Sequence, residues 1–136
     1  MFLCWVFKKK TAFQESTKEA IFESAPKFDD NGLPLPQWIA SDIERRRAAY
    51  IEAMMDNLRN LLNRYMSEQQ QCPWNKNCDA MVFGNLVKGL NARNLFPLRE
   101  ANTLDISIKE LVSRLRTMEL TPVCQGNSSP FSKMRP

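Results

Sequence analysis

From Gln37 to about Gln70 the chain contains neither proline nor glycine, and no other stretch restricts the fold as much. These two residues are the strongest breakers of a helix interior. Within the stretch, apolar residues fall at Ile39, Ile43, Tyr50, Met54, Leu58, Leu61 and Tyr65, with Ile51, Met55 and Leu62 beside them. Steps of three and four put side chains on one side of a helix. The spacing predicts one long central helix over about 37–69, or two with a bend. Unbroken, it would be about 50 Å long at ~1.5 Å per residue. A helix of that length needs packing partners along its whole course.

The rest of the chain supplies them. Residues 1–7 are apolar and read as the end of a buried element. A helix is predicted from Thr11, which makes a capping box with Gln14, and carries Phe13, Thr17, Ala20 and Ile21 on one face. Residues 25–36 are loop: Asp30-Asn31-Gly32 is turn chemistry, and Pro34 and Pro36 bar a helix until they are passed. A further helix is expected over 79–91, with a stripe of Val82, Phe83, Leu86, Val87 and Leu90. Gly84 and Gly89 each cost that helix ~1 kcal/mol relative to alanine, and a close helix–helix approach is one reason for them. Residues 94–105 read as loop. In ISIKELVSRLRTM, Ser107 is the N-cap, Glu110 completes a capping box, Ile106 and Leu111 form a staple, and Glu110 pairs with Arg114. Its buried face is expected to be Leu111, Val112, Leu115 and Met118. No run alternates long enough for a strand. The fold class is all-α, four to five helices in an irregular helical bundle, with residues 1–120 as one domain and 121–136 as a flexible tail.

Composition narrows the chemistry. The 136 residues are 43% hydrophobic and 25% charged, and 19 basic against 15 acidic side chains leave a net charge of +4. That is an ordinary globular balance, and a domain of this size folds without disulfides. The chain has no histidine, which excludes Ser-His-Asp and Cys-His catalysis, imidazole bases and mixed Cys/His zinc sites. In MFLCWVFKKK the charge follows the apolar run, the reverse of a signal peptide, and seven residues are far short of the ~20 needed to span a bilayer. We expect an intracellular protein, in cytoplasm or nucleus, with reduced cysteines.

Several residue groups are candidate sites. Cys72 and Cys78 flank a tryptophan and an asparagine-rich turn in CPWNKNC. With Cys124 they would give three ligands of a zinc site, Asp79 or Cys4 supplying the fourth. The alternatives are a redox pair, or cysteines packed as small apolar groups. Arg45-Arg46-Arg47 spread over about 200° of a helix and read as a solvated face with an Asp42–Arg46 pair. Lys8-Lys9-Lys10 is an exposed turn, shorter than an import signal. With no stacking aromatics beside these charges, no nucleic-acid partner is expected, and neither is a membrane partner. Trp5, Trp38 and Trp74 are of the kind that pins helix ends to a core; exposed, they become partner hot spots. Met54 and Met55 fill core or line an adaptable groove. Asp29 and Asp30 are turn formers, and no carboxylate pair suggests catalysis. The partner-surface candidates are Trp38, Met55 and Trp74; no cofactor is expected.

The stretch CDAMVFGNLVKGL, residues 78–90, resembles a helix in the C-terminal half of BTB/POZ-domain proteins of filamentous fungi. The surrounding order is similar too: GLPLPQWIASDIERRR, then Cys72, the CDAM helix, LFPL, SIKELVSRLR and Cys124. WVFKKKTAFQESTKEAIF resembles the helical segment following the BTB core, so the resemblance covers residues 1–124. It implies an all-α, non-enzymatic protein-interaction region and cysteines that act as a fold signature; the expected partner is a protein of unknown identity, with a homo-oligomer as a further expectation. The BTB core itself has no counterpart in these residues, so its pairing and cullin-docking roles are not carried over. Two alternatives are a ubiquitin-ligase substrate-adaptor fragment and a small zinc-stabilised nuclear regulator.

Overall fold

A computed structural model describes residues 1–25 and 27–120. The expected tail 121–136, and Cys124 with it, lies outside the described residues. The described chain is all-α: α1 (Phe2–Val6), α2 (Lys10–Glu23), α3 (Gln37–Met66), α4 (Lys76–Ala92), a 3-10 turn (Ala101–Thr103) and α5 (Ile108–Arg116). It divides into two compact units. One holds Met1–Asn57 and Leu98–Thr117; the other holds Leu58–Pro97 and the segment from Met118.

In the first unit, α1, α2, the start of α3 and α5 form an irregular bundle. Its buried side chains are Ile21, Ile39, Ile43, Ile51, Met55, Ala101, Leu104, Ile108 and Leu111, together with Arg47. On α3 the buried positions 39, 43, 47, 51 and 55 recur every four residues, the row that winds along a helix surface. The stripe expected from the sequence is therefore displaced. Ile51 and Met55 are its centre, while Tyr50 is exposed.

Arg47 occupies the middle of that row with 5% exposure. It is not part of a solvated face. Its guanidinium donates to three carbonyls: Ser24 at 3.0 Å, Leu104 at 3.0 Å and Ile106 at 2.6 Å. Ser24 is the C-cap of α2, and residues 104–106 lead from the 3-10 turn into α5. Burial pushes the Arg47 guanidinium below its usual range, opposed by Asp105 and Glu44, but an arginine stays charged. Arg45 and Arg46 do face solvent, and both bind Asp42, at 2.5 and 2.7 Å. Arg45 first, then Arg46, holds the Asp42 carboxyl below the usual carboxylate range. One turn beyond Arg47, Glu52 accepts from the Ala101 N–H at 3.1 Å, meeting the open end of the 3-10 turn.

The expected capping box at Thr11 does not form. α1 ends in a Schellman reversal: the Lys9 N–H reaches the Cys4 carbonyl, the Lys8 N–H reaches the Trp5 carbonyl, and Lys8 takes φ 54°. That turn delivers Lys9 as the N-cap of α2, so Thr11 is already inside the helix. Residues 1–7 are not a buried element either, because no residue of α1 is buried. Asp29 and Asp30 are turn formers as read, accepting from the Asn31 and Gly32 N–H groups at 2.8 and 2.9 Å. Asn31 and Gly32 both have positive φ, and the Leu33 N–H closes on the Asp30 carbonyl, a type I′ turn.

In the second unit, α3 ends at Met66, earlier than expected, where the Ser67 hydroxyl folds back on the Arg64 carbonyl at 2.8 Å. α4 starts earlier than expected, at Lys76, because Asn75 is the N-cap and accepts from the Asn77 N–H at 2.8 Å. Its buried row is Cys78, Val82, Leu86 and Leu90. A second Schellman reversal ends it. Asn94 has φ 57°, and the Leu95 N–H returns to the Leu90 carbonyl. Leu95 and Leu90 are both buried, the apolar contact such a motif favours. Part of the stretch read as loop therefore carries core residues: Leu95 here, and Ala101 and Leu104 in the first unit. A Cβ on Gly89 would come within 2.8 Å of the Met118 methyl, whereas one on Gly84 meets nothing within 4 Å. The close approach is real at Gly89 and absent at Gly84, and it is made by the chain after α5, which stops at Arg116.

Two outcomes follow. Arg47→Ala is expected to lower unfolding free energy by about 3–5 kcal/mol, because three carbonyls lose a charged donor and a gap opens in the core. Arg45→Ala and Arg46→Ala should each stay within about 0.5 kcal/mol. Urea unfolding of the three variants separates these values, and equal small effects would refute the clamp. Gly84→Ala should stabilise by about 1 kcal/mol, and Gly89→Ala by less, since Met118 must move; thermal melts of the pair give the order.

Candidate functional site

The two units place the sequence-derived candidates differently. Trp38 is 63% exposed in the first unit, and Trp74 is 79% exposed in the second. Trp5 is exposed as well. None pins a helix end to a core. At the start of α3, Ile39 and Ile43 take the inward positions, and at about 100° per residue Trp38 points elsewhere. Met55 is 1% exposed. It belongs to the buried row of α3 and is removed from the surface candidates. Met54, one position before it, is half-buried.

The cysteine stretch lies in the second unit. Cys78 is buried at the head of the α4 row, where it packs as a small apolar residue. Asp79, in the first turn of α4, accepts from the Gln71 N–H at 2.7 Å and the Cys72 N–H at 3.1 Å. The carboxylate offered above as a zinc ligand thus pins the incoming loop to the helix, and the negative charge suits a helix N-terminus. The Gln70 side-chain amide donates to the Cys72 carbonyl, closing the loop further. Among the described residues no three His, Cys, Asp or Glu side chains are grouped to hold a metal ion.

The first unit carries a series of grooves. Of the residues in α2 only Ile21 is buried, and grooves run along its flanks. Between α1 and α2, Cys4, Trp5, Val6 and Phe13 floor a groove of about 610 Å³ rimmed by Lys8, Lys9 and Lys10. Between α2 and α3, Phe13, Ile21, Phe22 and Tyr50 line one of about 470 Å³, with Asp42 and Arg46 at its edge. Between α2 and α5, Phe22 and Val112 lie in one of about 860 Å³ among Lys18, Glu19, Glu23, Lys109 and Arg116. Phe13 is common to the first two and Phe22 to the last two, so the grooves form one run around α2. The Phe22 and Tyr50 rings meet at 5.8 Å between centroids, tilted by 38°, within the range of attractive aromatic pairs. Lys109 donates to Glu23 at 2.7 Å across the third groove, and that bond first of all holds the Lys109 ammonium above its usual range.

Sequence reasoning missed these grooves. The spacing puts Phe13 on one face of α2 with Ile21 and puts Tyr50 in the apolar stripe of α3, and it gives Phe22 no role. One signal was available: α2 has few apolar residues, and those it has are not confined to one narrow stripe.

Tyr65 provides a check on the second unit. Burial chiefly pushes its phenol above the usual value; Asp79 adds to this and Arg64 opposes it. The fold favours the neutral phenol, so its contribution is complete below the unfolded value of about 10 and is lost as pH rises through the raised one. In Tyr50→Phe, Tyr65 is the only tyrosine. Phenolate absorbance in the folded variant should appear at higher pH than in the same chain unfolded in urea. Coincident titrations would mean that Tyr65 is not enclosed as described.

No helix among the described residues is long and apolar enough to cross a membrane. No family model, curated protein or solved structure matches this chain.

Proposed function

We propose that this chain is a non-enzymatic protein-interaction module, built like the helical region that follows the core in BTB/POZ proteins. The observation that carries the reading is the run of grooves around α2, with the Phe22–Tyr50 pair at its centre. Such grooves suit an amphipathic helix or strand of a partner, whose apolar side chains replace water against the rings. The charged rim, Lys18, Glu19 and Arg116 among it, would then fix register and orientation. Aromatic residues at the middle of a surface with charges at its edge are the usual anatomy of a recognition site.

The cysteine stretch supports the resemblance that suggested this reading. Cys78 in the core row and Asp79 on the Cys72 loop are what a conformational signature requires. A substrate-adaptor role in a ubiquitin ligase is a narrower form of the same proposal, and would need the BTB core as well. The zinc-stabilised alternative would depend on Cys124; stoichiometric zinc and a melting temperature lowered by chelator would be its signature.

The test is differential capture. Proteins retained by the native chain from its source cells are compared with those retained by Phe22→Ser/Tyr50→Ser. A specific partner should be lost at least tenfold, since a central aromatic contact is worth about 2 kcal/mol or more, while the melting temperature changes little. A cullin among the lost proteins would favour the adaptor form. Undiminished capture by the double variant would remove the groove from consideration.

A further inference from the structure

α1, FLCWV, contains no polar residue, and none of its residues is buried. Leu3 is 64% and Phe7 66% exposed, with Trp5 and Val6 exposed between them. At about 100° per residue these four side chains spread over roughly 200° of the helix circumference. Phe2 and Cys4, both half-buried, complete the helix, so no side of it is polar; a helix that is apolar all round is covered either by protein core or by lipid. At its base the Schellman reversal brings Lys8, Lys9 and Lys10 together at the elbow with α2, all three exposed. The groove they rim contains no acidic residue, and no ion pair to them occurs among the described residues.

We propose that this elbow is a peripheral binding site for an anionic lipid surface. The side chains of α1 enter the acyl boundary, Trp5 sits at the headgroup level that suits tryptophan, and the three ammonium groups meet anionic headgroups. Charge complementarity selects this occupant over a protein. The rim is made of lysines, strongly hydrated point charges suited to a diffuse negative surface. It has none of the forked guanidinium groups that recognise individual carboxylates. The open groove of about 610 Å³ beside Trp5 and Phe13 has room for part of an acyl chain. The sequence-based expectation of no membrane partner rested on the lack of a spanning segment. A site of this kind lies on the bilayer and needs no span. It adjoins the Phe22–Tyr50 surface through Phe13, but the variants below leave Phe22 and Tyr50 in place, so either proposal can fail without the other.

The full chain is mixed with phosphatidylcholine vesicles, with and without phosphatidylserine, and bound protein is measured by co-sedimentation. Binding to the serine-containing vesicles should be at least about tenfold stronger, and should weaken as salt is raised. Lys8→Gln/Lys9→Gln/Lys10→Gln should remove most of that difference. Leu3→Ser/Trp5→Ser/Phe7→Ser should remove binding to both kinds of vesicle. Circular dichroism should show both variants folded, because none of the altered side chains is buried. Equal binding to the two kinds of vesicle, or binding unchanged by both variants, overturns the proposal. So does a dimer, seen by light scattering without vesicles, that the Leu3/Trp5/Phe7 variant splits, since a second copy would then cover this face.

Discussion

A guanidinium in the middle of a helix-packing row has to replace bonds it gave to water. Arg47 makes three, to backbone carbonyls drawn from two places in the sequence, the exit of α2 and the approach to α5. An apolar residue there would satisfy the row and leave those carbonyls without a donor, each at a cost of about 1–3 kcal/mol if it stayed buried. Three isoleucines and a methionine can hold α3 against almost any apolar neighbour, because burial is not directional. The arginine adds direction: it fixes which ends of α2 and α5 meet the middle of α3. Glu52 repeats the device one turn on with a carboxylate and the Ala101 N–H. In this unit the loops are held by charged side chains of the long helix, and the helices by its apolar ones.

The second unit reaches the same end with different chemistry. Asp79 holds two N–H groups of the loop before α4, and the Asn94 reversal returns the chain so that Leu95 meets Leu90. Asparagine tolerates the left-handed conformation better than most residues, which gives Asn94 a physical role. Lys8 adopts the same conformation at the end of α1 without that tolerance. There the two closing hydrogen bonds offset the steric cost.

This division explains what could be read from the sequence. The long helix, the all-α class, the Ser107 cap and the Glu110–Arg114 pair are local or periodic, and each is present. The exact face of α3 is not legible from apolar spacing, for one reason. Arg47 interrupts the four-residue row, so a reading that counts only apolar residues steps from Ile43 to Tyr50 and loses register. Polarity and burial usually disagree, and nothing local marks the exception, because the acceptors lie 23, 57 and 59 residues away. The tryptophans are the opposite exception, exposed although large aromatic residues are more often inside. The grooves lie between α2 and three other helices, α1, α3 and α5, and could not be seen from the periodicity of any one.

The two kinds of charge that locate α2 respond differently to solvent. Lys109–Glu23 is an exposed pair, worth little and screened by salt. Arg47 is buried, does not titrate in any ordinary range, and has dipoles rather than an exposed counter-ion as partners. The C-terminal end of α2, where Phe22 meets Tyr50, is therefore anchored by a contact that neither salt nor pH loosens readily. Its N-terminal end, beyond Phe13, has no comparable charged anchor among its described hydrogen bonds and leads into the unburied α1. A helix fixed at one end over a charged core residue can hold an aromatic groove open there. Its apolar side chains remain at the grooves because the anchoring is done by the backbone carbonyl of Ser24, which leaves the rings of α2 free for a surface role.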